Sequence, residues 1–134
     1  MPIRTYTVEE ANRKLPEVRD AVGRIVQMTE YLPELEDQLR IAEYKRRRPG
    51  ASPAEAEEQR EAARRLESAQ LELAGAVHSL EELGVQLKDA RSGLVDFFAY
   101  REGEVVELCW RLGEESVAHW HRIGEGFPGR KRLA

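Results

Sequence analysis

Val8, Ala11, Leu15, Val18, Val22, Ile25 and Leu32 recur at threes and fours with one sevenfold step, the stripe of a helix packed against another. Thr7 followed by Glu10 matches a capping box at its start. Pro16 has no amide donor, so a first turn ending near Leu15 and a long helix restarting at Pro16 are expected. Pro33 breaks the register and the stripe resumes at Leu35, Leu39 and Ala42, which predicts a kink rather than a stop. Lys45 to Ser52 reads as a turn, with Pro49 and Gly50 as breakers. Ser52-Pro53-Ala54-Glu55 then supplies cap, N1 proline and capping-box glutamate for a second helix. Along it Leu66, Leu73 and Leu80 alternate with Ala62, Ala69, Ala76 and Leu83, a coiled-coil heptad whose small alanines allow close approach, and Gly84 closes it. Two arms of about 30 residues, roughly 45 Å each, joined by one short turn predict a helical hairpin over 7–46 and 53–84.

Elsewhere the period is two. Pro2-Ile3-Arg4-Thr5-Tyr6 alternates and is rich in β-formers, predicting a short strand. Residues 85–123 read as a β-meander: Leu94–Tyr100, the turn Arg101-Glu102-Gly103-Glu104, Val105–Leu112, a second turn at Gly113-Glu114-Glu115, and a third strand over Ser116–Arg122. A Gly-rich basic tail, 124–134, is expected to be irregular. The fold class that follows is α+β, a long antiparallel helical hairpin packed on a small antiparallel sheet in one domain, 1–134.

A two-residue turn at Glu102-Gly103 pairs Tyr100 with Val105, Phe98 with Glu107 and Asp96 with Cys109. Val95, Phe97, Ala99, Val106, Leu108, Trp110 and Leu112 then share one face, which must lie on the helices. If Leu112 pairs with Ser116, Trp120 joins that face, while Cys109 meets His119 and Glu107 meets His121. The opposite face carries Asp96, Cys109 and His119 in one cross-strand row and Phe98, Glu107 and His121 in the next. Neighbours in such rows sit about 4.5 to 5.5 Å apart at Cβ, so these groups can converge on one ion or small ligand. Imidazole with carboxylate suits zinc, iron or manganese, and a Cys109 thiolate shifts the preference toward zinc or iron. The same residues also fit an acid–base pair in which Glu107 orients His121. A solvated sheet face collects charges by default, and a slip of one residue would send every side chain to the other face.

Composition narrows the function classes. Of 25 acidic residues only four are Asp, and of 21 basic residues only four are Lys; the Glu and Arg excess favours long helices. The single Cys109 excludes an intramolecular disulfide and a multi-cysteine zinc site. A net charge of −4 argues against a general nucleic-acid coat. No apolar run approaches the roughly 20 residues of a membrane span, and no leader pattern is present, so the expected location is the cytoplasm. Gly124-Glu125-Gly126-Phe127-Pro128-Gly129 matches G-x-G-x-x-G literally but lacks the following helix, so a dinucleotide site is rejected. Its glycines instead let the tail fold over the sheet, carrying Phe127 and Arg130 toward the open face. Arg46-Arg47-Arg48 and Arg130-Lys131-Arg132 are the basic clusters; without aromatics beside Arg46, base stacking has no platform.

Gly93-Leu94-Val95-Asp96-Phe97, Leu108-Cys109-Trp110-Arg111-Leu112-Gly113-Glu114, Trp120-His121 and Gly126-Phe127-Pro128-Gly129-Arg130, with the opening Tyr6-Thr7-Val8-Glu9-Glu10-Ala11-Asn12, resemble the bacterial DUF2203 family. The family pattern reads Asp-Phe-Pro where this chain has Asp96-Phe97-Phe98. No activity comes with the resemblance. It implies a featured set of Asp96, Cys109, Trp110, Glu114, Trp120, His121, Gly126, Phe127, Gly129 and Arg130, without His119.

The reading with most support is a small protein that binds a metal ion or small anionic ligand on the polar face of its sheet. Its candidate metal ligands are His121, His119 and Cys109, with zinc or iron as the divalent ion. Asp96, Glu107, Glu114, Arg130 and Trp120 are candidate ligand-binding residues, and Arg130 suits a carboxylate or phosphate. The alternative is a scaffold that dimerises through the hairpin, two hairpins making a four-helix bundle, and meets a partner or nucleic acid with its basic tip. An enzyme ranks third, because no complete nucleophile or acid–base set can be assigned.

Overall fold

The computed structural model describes residues 3–133. Helix α1 runs over Val8–Arg47 and helix α2 over Pro53–Leu83. A five-stranded antiparallel sheet follows, β1 Val85–Asp89, β2 Leu94–Arg101, β3 Glu104–Arg111, β4 His119–Arg122 and β5 Lys131–Arg132, with strand order equal to chain order. The two helices pack along one another and the sheet packs on their base, an α+β arrangement. Among the described residues no helix is long and apolar enough to cross a membrane.

At the start of α1 Thr7 Oγ1 accepts the Glu10 amide while Glu10 accepts that of Thr7; at α2 the Glu55 carboxylate accepts the Ser52 amide at 3.1 Å and the Glu55 amide donates to the Ser52 carbonyl at 3.0 Å. Gly84 ends α2 in the left-handed region at φ 72°. The expected break at Pro16 does not occur. Pro16 and Pro33 both lie inside one continuous helix of 40 residues, roughly 60 Å long, so the arms are not matched in length. An interior proline costs about 3 kcal/mol, and burial of Leu15, Val18, Val22 and Ile25 against the sheet and α2 outweighs it. Helix α1 also runs past Lys45, leaving Arg48–Ser52 as the turn.

The expected strand over 2–6 is absent across its described part, Ile3–Tyr6 (Pro2 lies outside the described residues). Strand β1 pairs with β2 as far as Val85↔Phe97. Beyond that pair the Phe98 carbonyl accepts the Tyr6 amide at 2.8 Å, a single backbone bond rather than a strand ladder. The Tyr6 hydroxyl donates to Leu83 O, and its ring meets Phe97 edge-on with centroids 5.2 Å apart.

The central hairpin has the expected register, Asp96↔Cys109, Phe98↔Glu107 and Tyr100↔Val105. Glu102 and Gly103, at φ 54° and 82°, make a two-residue turn of the hand that matches strand twist. Cys109↔His119 and Glu107↔His121 pair as anticipated, but β4 begins only at His119, so Ser116–Ala118 are not strand. Asn12 accounts for that late start, accepting the Val117 amide at 2.8 Å and donating to the Val117 carbonyl at 3.3 Å. The tail is not wholly irregular either: Phe127–Gly129 form a 3-10 turn and β5 pairs with β4.

Gly93 packs directly against Val22 and Val26 of α1. It adopts φ +73°, and a Cβ there would stand 2.7 Å from Leu112 Cβ and 2.8 Å from Val22 Cγ1. Gly93→Ala is expected to cost about 2 to 4 kcal/mol, from left-handed strain plus overpacking. Gly103, at φ +82° in open space, should cost only about 1 to 2 kcal/mol on the same change. Urea denaturation of the two variants checks the difference.

Candidate metal centre

Strand pleating delivers Asp96, Phe98, Cys109, Glu107, His119 and His121 to the sheet face away from the helices. That face is not solvated. Val106–Trp110 of β3 are buried in an unbroken run, so both sides of the strand are covered. Asp96 is 2 % exposed, Glu107 3 %, His121 1 % and Cys109 0 %.

Two cationic arms provide cover. Lys88, where a register shift interrupts β1, reaches from β1 across β2 to place Nζ 3.3 Å from Glu107 Oε2. From the other side the tail brings Arg130, whose guanidinium grips Glu114 in two bonds of 3.0 and 2.6 Å and lies 4.0 Å from Cys109 Sγ. Phe127 is held between the guanidiniums of Arg111 and Arg130, 4.6 and 4.2 Å from its ring centroid. The tail therefore folds over the sheet as its glycines suggested.

Beneath this cover one ligand atom each from Asp96, Cys109 and His121 lie within 4.8 Å of one another. His121 Nδ1 stands 2.8 Å from the Arg122 carbonyl oxygen. A carbonyl only accepts, so Nδ1 carries the proton. In the neutral ring Nε2 then bears a lone pair, and it points at Asp96 Oδ2 from 3.1 Å. Glu107 Oε1 approaches Nδ1 only to 3.8 Å and is held instead by Lys88. Asp96 Oδ1 is buried without a hydrogen-bond partner.

Burial raises the Asp96 carboxyl above its ordinary range, and the charge of Glu107 adds to this while His121 and Lys88 oppose it. Burial likewise pushes the Cys109 thiol up to about 11, with Asp96 reinforcing it and Arg130 opposing it. Such a thiol is no free nucleophile. Burial also pulls Glu114 upward, but the Arg130 hydrogen bonds and the Arg111 amide outweigh it and hold the carboxyl low.

The candidate residues thus separate. Asp96, Cys109 and His121 converge; Asp96, placed among ligand-binding groups from the sequence, stands with two of the candidate metal ligands. Glu107, Glu114 and Arg130 form flanking ion pairs. His119 lies on the same face, outside the 4.8 Å cluster, with Nδ1 3.9 Å from Glu114 Oε2. Trp120 is on the other face, against the helices, with Arg101, Lys131 and Arg122 over its ring at 4.5, 4.9 and 5.6 Å. Sequence reasoning missed Lys88, whose signal was a lone cation at a polar-face position of a strand, and the Arg122 carbonyl, which no side-chain pattern reveals. At the hairpin tip Lys45 pairs with Glu58, Arg46 with Gln59 and Arg48 with Glu55, so much of the basic cluster is engaged internally.

Asp96→Asn is expected to raise the stability of the metal-free protein at neutral pH by roughly 1 kcal/mol, the scale of one net hydrogen bond. The new amide donates to Nε2 of the neutral ring, and no carboxylate is buried. Because the Asp96 pKa is raised in the fold, ionisation penalises the native state only above the ordinary carboxyl range. The gain should therefore be largest above the raised Asp96 range and fade as pH falls toward the ordinary carboxyl range. Denaturation curves of both proteins against pH check the sign.

The family model described as "Uncharacterized conserved protein (DUF2203)" matches residues 4–133. Neither curated proteins nor solved structures yield a match. The match spans almost the whole chain, and the protein belongs to the DUF2203 family.

Proposed function

We propose that this protein binds one divalent transition-metal ion, zinc or iron(II), through Asp96, Cys109 and His121. The observation that carries the reading is the meeting of two acceptors, His121 Nε2 and Asp96 Oδ2, 3.1 Å apart in a buried site beside a sulfur. Two acceptors held together need a cation between them. A proton serves that pair but leaves Asp96 Oδ1 unpartnered. Donors about 2.0 to 2.1 Å from a tetrahedral ion stand about 3.3 Å apart, close to the spacing found.

Charge balance supports a divalent ion. Asp96 carboxylate and Cys109 thiolate neutralise two positive charges, the imidazole adds none, and Lys88–Glu107 and Arg130–Glu114 are each neutral pairs. Any other ionic charge would leave an uncompensated charge in a dry site, which is costly. The Nδ1–H bond to a backbone carbonyl is the orienting contact that metal-ligating histidines characteristically make. A small anion fits less well, because Arg130, its natural anchor, already has both arms on Glu114. A thiol-based enzyme fits less well too, since Nε2 is committed to Asp96 and the sulfur is shut from solvent.

Dialysed protein titrated with zinc should take up about one equivalent per chain. His121→Ala and Asp96→Asn should each weaken binding by at least about 100-fold, more than loss of an orienting partner alone. Each ion should displace at least one proton near neutral pH, from the Cys109 thiol. Calorimetry in buffers of different ionisation enthalpy reads that number. No uptake, or equal uptake by His121→Ala, would defeat the proposal.

A further inference from the structure

We infer that His119 is the fourth ligand of this centre, closing it as Asp96–Cys109–His119–His121 and leaving no coordination position for substrate or water. The inference rests on the metal reading above and adds what kind of site it is: one that holds its ion, as structural and sensing centres do, rather than one that turns over a substrate.

Three protein donors leave one position of a tetrahedral ion to fill. Solvent is poorly placed to fill it, because Asp96, Cys109 and His121 are each 2 % exposed or less. The fourth donor has to come from the polar face itself, and the other candidates there are committed. Glu114 takes two bonds from Arg130 and a third from the Arg111 amide at 2.8 Å. Glu107 is paired with Lys88.

His119 is not committed. It stands directly across from Cys109 in the β3–β4 register, as Asp96 does in the β2–β3 register. The sulfur is thus flanked on both sides in one row, at the Cβ separation of about 4.5 to 5.5 Å usual for such pairs. Its Nδ1 is buried and has no hydrogen-bond partner among the described residues, since Glu114 Oε2 at 3.9 Å is too far to accept. A dry, unbonded ring nitrogen is a cost to the fold that ligation would remove. Rotation of the side chain toward the sulfur breaks no hydrogen bond made through Nδ1. A neutral imidazole also preserves the charge balance of the site. Arg130, Arg132 and Glu114 are the charged groups around it.

Cobalt(II) titrated into the full-length protein tests this, because its visible bands report coordination number and exchangeable ligands. The unaltered protein should give intense bands of a four-coordinate thiolate site that added azide does not move. His119→Ala, with its fold verified by circular dichroism, should still bind cobalt, about tenfold or more weakly, with altered bands that azide now shifts. A response to azide in the unaltered protein, or an unaltered cobalt spectrum in His119→Ala, would overturn the assignment of His119 while leaving the three-ligand centre standing. Absence of cobalt uptake by the unaltered protein, or uptake undiminished in His121→Ala, would remove the centre and this inference together.

Discussion

One backbone carbonyl settles the chemistry of the polar face. By accepting the Nδ1–H of His121, Arg122 O fixes which nitrogen of that ring is left to face Asp96. In water the choice of tautomer would matter little. Here the ring is 1 % exposed and its carboxylate partner scarcely more, so an unmatched pair of acceptors is expensive and something positive must lie between them. The carbonyl belongs to the last residue of β4 and also accepts the Glu125 amide of the following turn at 3.1 Å, so its two lone pairs serve the turn and the imidazole.

That geometry depends on the other face. Val95, Phe97, Val106, Leu108 and Trp110 press the sheet onto α1 and α2, with Tyr6 and Asn12 pinning the start of α1 to β2 and to the loop before β4. The Trp110 indole donates to Glu114 O at 3.1 Å, and the Glu114 carboxylate turns back to the Arg111 amide. The turn that carries Glu114 is therefore anchored from the core side, and it presents its carboxylate to Arg130 on the polar side. Packing energy on one face is thereby converted into fixed positions on the other.

The strands were legible to the extent that period and turn chemistry determine them. Glu102-Gly103 can turn a hairpin in two residues, and once it does, the pleat assigns Asp96, Cys109, His119 and His121 to one side without further information. The helical hairpin was legible for the same reason, through its seam and its caps. What failed was local preference where distant packing overrode it. Pro16 stays helical because its neighbours Leu15 and Val18 are buried, and Ile3–Tyr6 forms no strand because β1 takes Leu94–Phe97 of that edge and the segment makes one backbone bond to β2, Tyr6 N to Phe98 O, before α1 begins. Covering of the polar face was not legible at all. It depends on Lys88 arriving from one side and Arg130 from the other, both contacts between residues far apart in sequence. A face bearing two histidines and several carboxylates reads as solvated until those arms are known.

The same two arms explain how a sheet can tolerate such a face. Burying a carboxylate, a thiol and an imidazole together would ordinarily cost several kcal/mol, and the fold does not remove the charges. It places a neutral ion pair on each flank, Lys88–Glu107 and Arg130–Glu114, so that the neighbours of the central three add no net charge to the site. A purely structural sheet would gain by replacing the row with apolar residues, since hydrophobic substitutes for buried ionic clusters are often more stable. Retaining Asp96, Cys109 and His121 under two fitted covers accords with the proposal that they hold an ion between them.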